Sequence, residues 1–118
     1  MTKIEWLELK DICYIRVEGH AEYNPGNDIV CAAVSALMQT LYAGLDGVCH
    51  ASAGEKHEDG MMVVVVYTDR ENEKAVHTLF QSILLGLQLI AGEYPEHVQI
   101  EPMTESIGGV GEILFQMA

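Results

Sequence analysis

Basic side chains are scarce in this chain of 118 residues, where six Lys and Arg stand against eighteen Asp and Glu and the net charge is −12. Binding to nucleic acid needs a basic face that neutralises phosphates, and this composition excludes one. The same negative field attracts basic peptides and proteins, although solubility alone also explains an acidic surface. The charge therefore argues against a nucleic-acid partner and leaves a basic protein partner open.

Cysteines are also few, and the three present, Cys13, Cys31 and Cys49, show no CxxC spacing. An odd number without that spacing supports neither a disulfide framework nor a structural zinc site. Cys49-His50 together with His57 is the remaining metal candidate. Neighbours in a strand point to opposite faces, so Cys49 and His50 are not expected to converge on one atom. We therefore predict no metal and no cofactor.

Long apolar runs are missing as well. The longest, Met61 to Tyr67, is far shorter than the ~20 residues of a membrane helix, and the N-terminus lacks the apolar segment of a signal peptide. We expect a cytoplasmic protein with no membrane partner. Apolar residues nevertheless make up 49% of the chain and charged residues 20%, which predicts one packed globular core.

Hydrophobic periodicity predicts two helices and five strands. The helices run from the cap Asp28 to about Leu45, and from Asp69 to a stop at Gly92 and Pro95. The strands are predicted at 3–9, 12–18, 48–53, 61–68 and 97–101; Lys10-Asp11 closes a hairpin between the first two, and a charged turn covers 54–60.

This order, ββαββαβ, predicts a two-layer α+β domain with a mostly antiparallel sheet of about five strands and two main helices. We assign residues 1–102 to one domain and 103–118 to a tail of uncertain role. The strand at 61–68 is apolar on both faces, so the second face of the sheet is expected to be covered, and a dimer partner could cover it. Cys13 is expected in the core, and His77 and His97 at exposed positions.

Residues 19–35 combine a strand end, a polar loop and the start of a helix. A thiolate is stabilised near a helix N-terminus and beside a histidine, which makes Cys31 a candidate nucleophile and His20 its general base. The amides at the helix start are expected to be unpaired and able to hold an oxyanion. Asp28 is most simply the helix cap, and Ser35 lies one turn beyond Cys31. The non-catalytic alternatives are that Cys31 only fills the helix and that His20 is a solvated loop residue.

The motif Gly19-His20-Ala21 followed by Gly26-x-Asp28-Ile29-Val30-Cys31-Ala32-Ala33-Val34-Ser35 closely resembles the ribosomal-processing cysteine protease family (Prp). The resemblance implies a small α+β homodimer with a flexible loop, at 22–27 here, over the active site. By motif it implies Cys31 as nucleophile and His20 as base, with Gly19, Asp28 and Ser35 shaping or supporting the site. An aromatic-accepting pocket would also be needed beside Cys31, and Tyr23, Met38 and Tyr42 are candidates for it.

By the same resemblance, the expected function is a cysteine endopeptidase that removes a short N-terminal extension from the large-subunit ribosomal protein numbered twenty-seven. The cut would follow an aromatic pair and precede a lysine-rich segment, so the partner is the N-terminal segment of a basic ribosomal protein. Two alternatives stay open: a non-catalytic module that binds ribosomal or other basic protein, and a redox-sensing thiol protein.

Overall fold

A computed structural model describes residues 1–103, and the tail prediction for 103–118 lies outside the described residues except for Met103. The elements are β1 (Thr2–Glu8), β2 (Ile12–Glu18), α1 (Ile29–Gly47), β3 (Ala53–Glu58), β4 (Met61–Tyr67), α2 (Glu73–Glu93) and β5 (Val98–Pro102). The predicted order ββαββαβ and the two-layer α+β class are confirmed.

The five strands form one sheet in the order β3-β4-β2-β1-β5. The β1–β2, β2–β4 and β3–β4 pairs are antiparallel, and β1–β5 is parallel. The predicted hairpin is present, and the Leu9 N–H donates to Ile12 O across its turn at 2.8 Å. The sheet is therefore mixed but mostly antiparallel.

The prediction was wrong between residues 48 and 60. Within the expected strand at 48–53 only Ala53 is strand, and residues 48–52 are the C-cap and turn that follow α1, where the N–H groups of Val48 and Cys49 both donate to Gly44 O, at 2.9 and 3.0 Å. The expected charged turn at 54–60 is mostly strand β3, an edge strand that pairs with β4 alone. An edge strand tolerates charged residues, so its polarity resembles that of a turn.

The second helix begins at Glu73 rather than at Asp69. The Asp69 carboxylate accepts hydrogen bonds from the N–H groups of Glu71 and Asn72, both at 2.9 Å, and the Asn72 side chain accepts one from Asp69 N–H at 2.9 Å. This reciprocal pair forms a separate turn, because Asp side chains compete with helix hydrogen bonding.

Both helices pack on one face of the sheet with the apolar stripes expected from the sequence. They approach each other closely at two glycines: a Cβ on Gly44 would stand 2.8 Å from Leu79 Cδ2, and one on Gly86 would stand 3.1 Å from Leu37 Cδ1. The main core lies between this helix pair and the sheet, and Cys13 is 1% exposed within it, as predicted.

A second apolar cluster lies on the other face of the sheet, formed by Ile12, Tyr14, Val63 and Val65. All four are 9% exposed or less in a single chain. The prediction that this face is covered is thus confirmed for these four residues.

Two histidines expected at the surface are partly buried instead. His77 Nδ1 lies 2.7 Å from Glu8 Oε2, and His97 Nδ1–H donates to Ala21 O at 2.9 Å. The prediction that His77 and His97 lie at exposed positions is therefore wrong. Local spacing could not reveal either contact, because both partners are more than sixty residues away in sequence.

Candidate active site

Cys31 lies in the first turn of α1, and Asp28 caps the helix as expected. Asp28 Oδ1 accepts hydrogen bonds from the backbone N–H groups of Val30 at 2.9 Å and Cys31 at 3.0 Å. Its Oδ2 accepts from Tyr23 N–H at 2.9 Å and from Asn24 N–H at 3.4 Å. One carboxylate therefore fixes both the helix start and the preceding loop.

These bonds determine the charge of the cap. Desolvation acts to raise the pKa of Asp28, but the hydrogen bonds from the N–H groups of Cys31, Asn24, Tyr23 and Val30 lower that pKa below its ordinary value of 3.8. The cap is therefore a carboxylate at neutral pH.

The same contacts correct the prediction that the backbone amides at the start of α1 are unpaired and free to hold an oxyanion. The N–H groups of Val30 and Cys31 are already paired with Asp28 Oδ1, and the Ala32 N–H donates to Asp28 O at 3.0 Å. The N–H group that points at the sulfur belongs to Ala21, which donates to Cys31 Sγ at 3.1 Å. The loop before the helix, rather than the helix end, supplies the donor nearest the thiol.

The strand end before this loop depends on Gly19. Its φ is +90°, and a Cβ there would stand 2.4 Å from the carbonyl oxygen of Met1. The Gly19 N–H donates to Gly60 O at 2.8 Å, and the ammonium of Met1 donates to His20 O at 2.7 Å. Gly19 therefore lets the backbone pass close to Met1 at the start of β1 and to Gly60 in the β3–β4 turn, immediately before His20.

His20 and Cys31 line the same cleft, which has a volume of about 490 Å³. From α1 the cleft is lined by Cys31, Val34, Ser35, Met38 and Gln39. Its lining also includes Gly19, His20, the end of β3 at 57–58 and the β3–β4 turn at 59–60. The His20 imidazole packs on that turn, with Nε2 3.4 Å from the position that a Cβ on Gly60 would take.

Within residues 1–103, no hydrogen bond joins His20 to Cys31. The two are connected through Ala21, which follows His20 in the chain and whose N–H donates to Cys31 Sγ. Catalytic hydrogen bonds are often long without substrate and shorten when substrate binds. The geometry places the imidazole of His20, which is exposed, and the half-buried thiol of Cys31 in one cleft.

The other predicted site residues divide into three groups. Gly19, Ser35 and Met38 line the cleft, and Asp28 caps α1 without lining it. Tyr23 and Tyr42, expected near an aromatic-accepting pocket, do not line it. Tyr23 packs edge-on against Tyr94, with ring centroids 5.2 Å apart, and Tyr42 is 37% exposed on α1.

No local sequence pattern indicated that His97 supports the loop before α1. Besides its hydrogen bond to Ala21 O, the His97 ring lies edge-on to Tyr23 with centroids 5.4 Å apart. The segment between α2 and β5 thus holds the residue whose N–H reaches Cys31. The acidic wall at Glu58 and Asp59 was also missed, although Asp59-Gly60 is a turn pair that could have indicated a hairpin.

The remaining cysteines are not in the cleft. Burial, together with the charge of Glu8, raises the pKa of Cys13 to about 12, and burial raises the pKa of Cys49. Cys49, His50 and His57 do not gather into a metal-ligand group in the described part of the chain; the group that does form is Glu8, Cys13 and His77. Cys31 is therefore the one cysteine placed for chemistry in the cleft.

A thiol at a helix start, facing a cleft that it shares with a histidine on a two-layer α+β fold, is the arrangement of a cysteine peptidase. The family model described as "Cysteine protease Prp" matches residues 1–99. The chain therefore belongs to the Prp cysteine protease family, and it is a cysteine peptidase.

Individual relatives agree with this assignment. The chain is 29% identical over 86 residues to the ribosomal processing cysteine protease Prp of Staphylococcus aureus, covering 71% of this chain and 80% of the relative. A crystal structure of the S. aureus protease with a covalently linked product peptide matches with a TM-score of 0.75 at 22% identity, over 87% of this chain and 100% of the other. A Streptococcus mutans structure matches with a TM-score of 0.72 at 29% identity, over 89% of this chain and 99% of the other.

Proposed function

We propose that this chain is the endopeptidase that removes a short N-terminal extension from the large-subunit ribosomal protein numbered twenty-seven, with Cys31 as nucleophile and His20 as general base. The observation that carries the assignment of roles is that the Cys31 thiol and His20 share one cleft. The S. aureus relative has also been crystallised with a substrate peptide. That structure is consistent with a peptide substrate here.

In the proposed mechanism, a modest movement of the loop brings the His20 imidazole to Cys31 Sγ, where it accepts the thiol proton. The thiolate attacks the scissile carbonyl carbon, and the carbonyl electron pair moves to oxygen. The Ala21 N–H, already 3.1 Å from the sulfur, is the proposed donor to that oxyanion. His20 then gives its proton to the departing amine, and water hydrolyses the acyl-enzyme with His20 again as base.

The charges around the cleft support a basic substrate. Glu58 and Asp59 lie on the wall opposite α1, and the whole chain carries a charge of −12. A lysine-rich segment that follows the scissile bond would be attracted to this wall and steered toward it. Met38, buried beneath the cleft, offers an adaptable apolar contact for the residues that precede the bond.

The test is cleavage of a peptide that carries an aromatic pair followed by a lysine-rich segment. We expect turnover by the wild-type chain and a fall of about 10³-fold or more on Cys31→Ser or His20→Ala. Cys49→Ala is the matched control, because it removes a buried cysteine outside the cleft and should leave turnover within about twofold.

Other outcomes identify the alternatives. Tight binding of the peptide with no cut, unchanged in Cys31→Ser, would indicate the basic-peptide-binding module. Ready conversion of Cys31 to a mixed disulfide without any peptide turnover would indicate a redox sensor.

We further propose that the protein acts in the cytoplasm as a homodimer. Between residues 29 and 45 of α1, and between 75 and 92 of α2, there is no Asp, Glu, Lys or Arg. Leu85 and Leu89, one turn apart on α2, are nevertheless 58% and 68% exposed. An uncharged, exposed helix face of this kind is suited to a second copy of the chain.

A further inference from the structure

A second cluster of reactive side chains lies where β1 and β2 meet α2. Glu8 and Cys13 are partners across the β1–β2 ladder, and His77 reaches them from α2. His77 Nδ1 lies 2.7 Å from Glu8 Oε2 and 3.7 Å from Cys13 Sγ, and the three donor atoms are all within 4.8 Å of one another. Three rigid elements thus direct one oxygen, one nitrogen and one sulfur at a common point.

The surrounding hydrogen bonds orient these groups as metal ligands are usually oriented. His77 Nε2–H donates to Lys10 O at 3.0 Å, which leaves Nδ1 as the ring atom directed at the cluster. Gln81 Nε2 donates to Glu8 Oε2 at 3.0 Å and holds the carboxylate in place. Outer hydrogen bonds of this type fix the orientation of histidine and carboxylate ligands in metal sites.

The donor set favours zinc over harder cations, because zinc combines thiolate, imidazole and carboxylate ligands, whereas Mg²⁺ and Ca²⁺ prefer oxygen alone. Tetrahedral zinc bond lengths put neighbouring donor atoms about 3.3–3.6 Å apart. The Sγ–Nδ1 distance already fits. The Nδ1–Oε2 pair must open by about 0.6 Å, which the partly exposed side chains of Glu8 and His77 allow.

A cation can reach this cluster from solvent. His77 lines an open surface pocket with Lys10, Glu73, Lys74, Thr78 and Gln81, so solvent and a water ligand reach the cluster on the His77 side. Glu8 is partly exposed, whereas Cys13 is 1% exposed and faces the core. Cys13 is the second residue of β2 and His20 lies two residues beyond the end of that strand, so at about 3.3 Å per residue the cluster is roughly 20 Å from the active-site cleft. It is therefore a separate site.

We propose that Glu8, Cys13 and His77 form a zinc-binding site with one open position, and that the bound ion fastens the β1–β2 hairpin to α2. Binding releases to solvent the thiol proton of Cys13 and the proton shared between His77 and Glu8, and the metal takes the position of the latter. The site does not depend on the proposed proteolytic activity.

The test uses cobalt(II) as a spectroscopic substitute for zinc in the Cys31→Ser protein, which removes the cleft thiol as a competing ligand. We expect one cobalt per chain, visible d–d bands of a tetrahedral ion, and a thiolate-to-cobalt charge-transfer band in the near ultraviolet. Adding Cys13→Ala should abolish the charge-transfer band. Adding Cys49→Ala, which removes the other buried cysteine, should leave it intact.

Zinc supplies an independent readout. At a concentration ten times its dissociation constant, zinc should raise the Tm of the Cys31→Ser protein by about 5–10 °C. Glu8→Gln retains the side-chain shape and should remove most of that rise, which keeps the test valid if Cys13→Ala folds poorly. A charge-transfer band that survives Cys13→Ala, or a Tm that zinc leaves unchanged, would overturn the proposal.

Discussion

His97 contacts the proposed active site through the peptide groups of Ala21. Its Nδ1–H donates to Ala21 O at 2.9 Å, and the N–H of Ala21 donates to Cys31 Sγ at 3.1 Å. We predict that His97→Gln lowers kcat/KM for peptide cleavage by about 3–10-fold, the value of one positioning hydrogen bond. His97→Asn should recover most of the loss, because its amide nitrogen can occupy the place of Nδ1.

Both substitutions remove the aromatic ring that packs on Tyr23, so the difference between them isolates the hydrogen bond. The rate at which iodoacetamide alkylates Cys31 should follow the same order as turnover. Equal losses in the two variants, in turnover and alkylation alike, would show that His97 acts through ring packing rather than by positioning Ala21.

Gly19 allows a direct test of backbone conformation. With φ at +90° and the Met1 carbonyl oxygen 2.4 Å from the position of a new Cβ, Gly19→Ala should destabilise the fold by about 1–3 kcal/mol. Gly47→Ala is the matched control, because nothing lies within 4 Å of its new Cβ. It should be neutral or stabilising by up to about 1 kcal/mol. Urea unfolding of both variants checks the prediction, and equal effects would contradict it.

At the level of the element, the start of α1 depends on a charged cap. Asp28→Ala should cost about 0.5–2 kcal/mol of stability at pH 7, whereas Asp28→Asn retains a capping oxygen. Because the pKa of Asp28 is lowered on folding, its ionised form contributes stability that is present above the ordinary value of 3.8. That contribution is lost as the pH falls through the lower folded value.

The stability advantage of wild type over Asp28→Asn should therefore shrink as the pH is lowered from neutral to values below the ordinary carboxyl pKa of 3.8. Urea unfolding of the two proteins across that range measures the difference, and the other carboxyl groups cancel because both proteins share them. A difference that stays constant with pH would show that the charge of Asp28 does not contribute to the cap.

Elements with strong local signals could be predicted, and those defined by long-range pairing could not. Asp28 followed by an apolar stripe predicted α1 and its cap, and the Cys31 motif placed the thiol correctly at the helix start. The strand β3 was missed because it pairs with one neighbour only and is mostly charged. His97 gave no signal, since its partner Ala21 is 76 residues away.

At the scale of the whole molecule, the helix layer leaves an unusual surface. Each helix contains a stretch with mean hydropathy 1.4, long and apolar enough by composition to cross a membrane, yet only 28% of that stretch in α1 and 33% in α2 is buried. The buried residues of both helices pack on the sheet. The outward share, with Leu85 and Leu89 at 58% and 68% exposure, is the surface proposed for the second copy.

We therefore predict that the wild-type chain is a dimer in light scattering after size-exclusion chromatography, and that Leu85→Lys with Leu89→Lys makes it a monomer. Two lysines on this face would have to be buried and unpaired in the dimer, at a cost of several kcal/mol. Tyr67→Lys is the matched control, because Tyr67 is equally exposed, at 60%, but follows Val63 and Val65 on the opposite face of the sheet. A wild-type monomer at high concentration, or a Tyr67→Lys variant that dissociates as readily, would exclude the helix layer as the dimer interface.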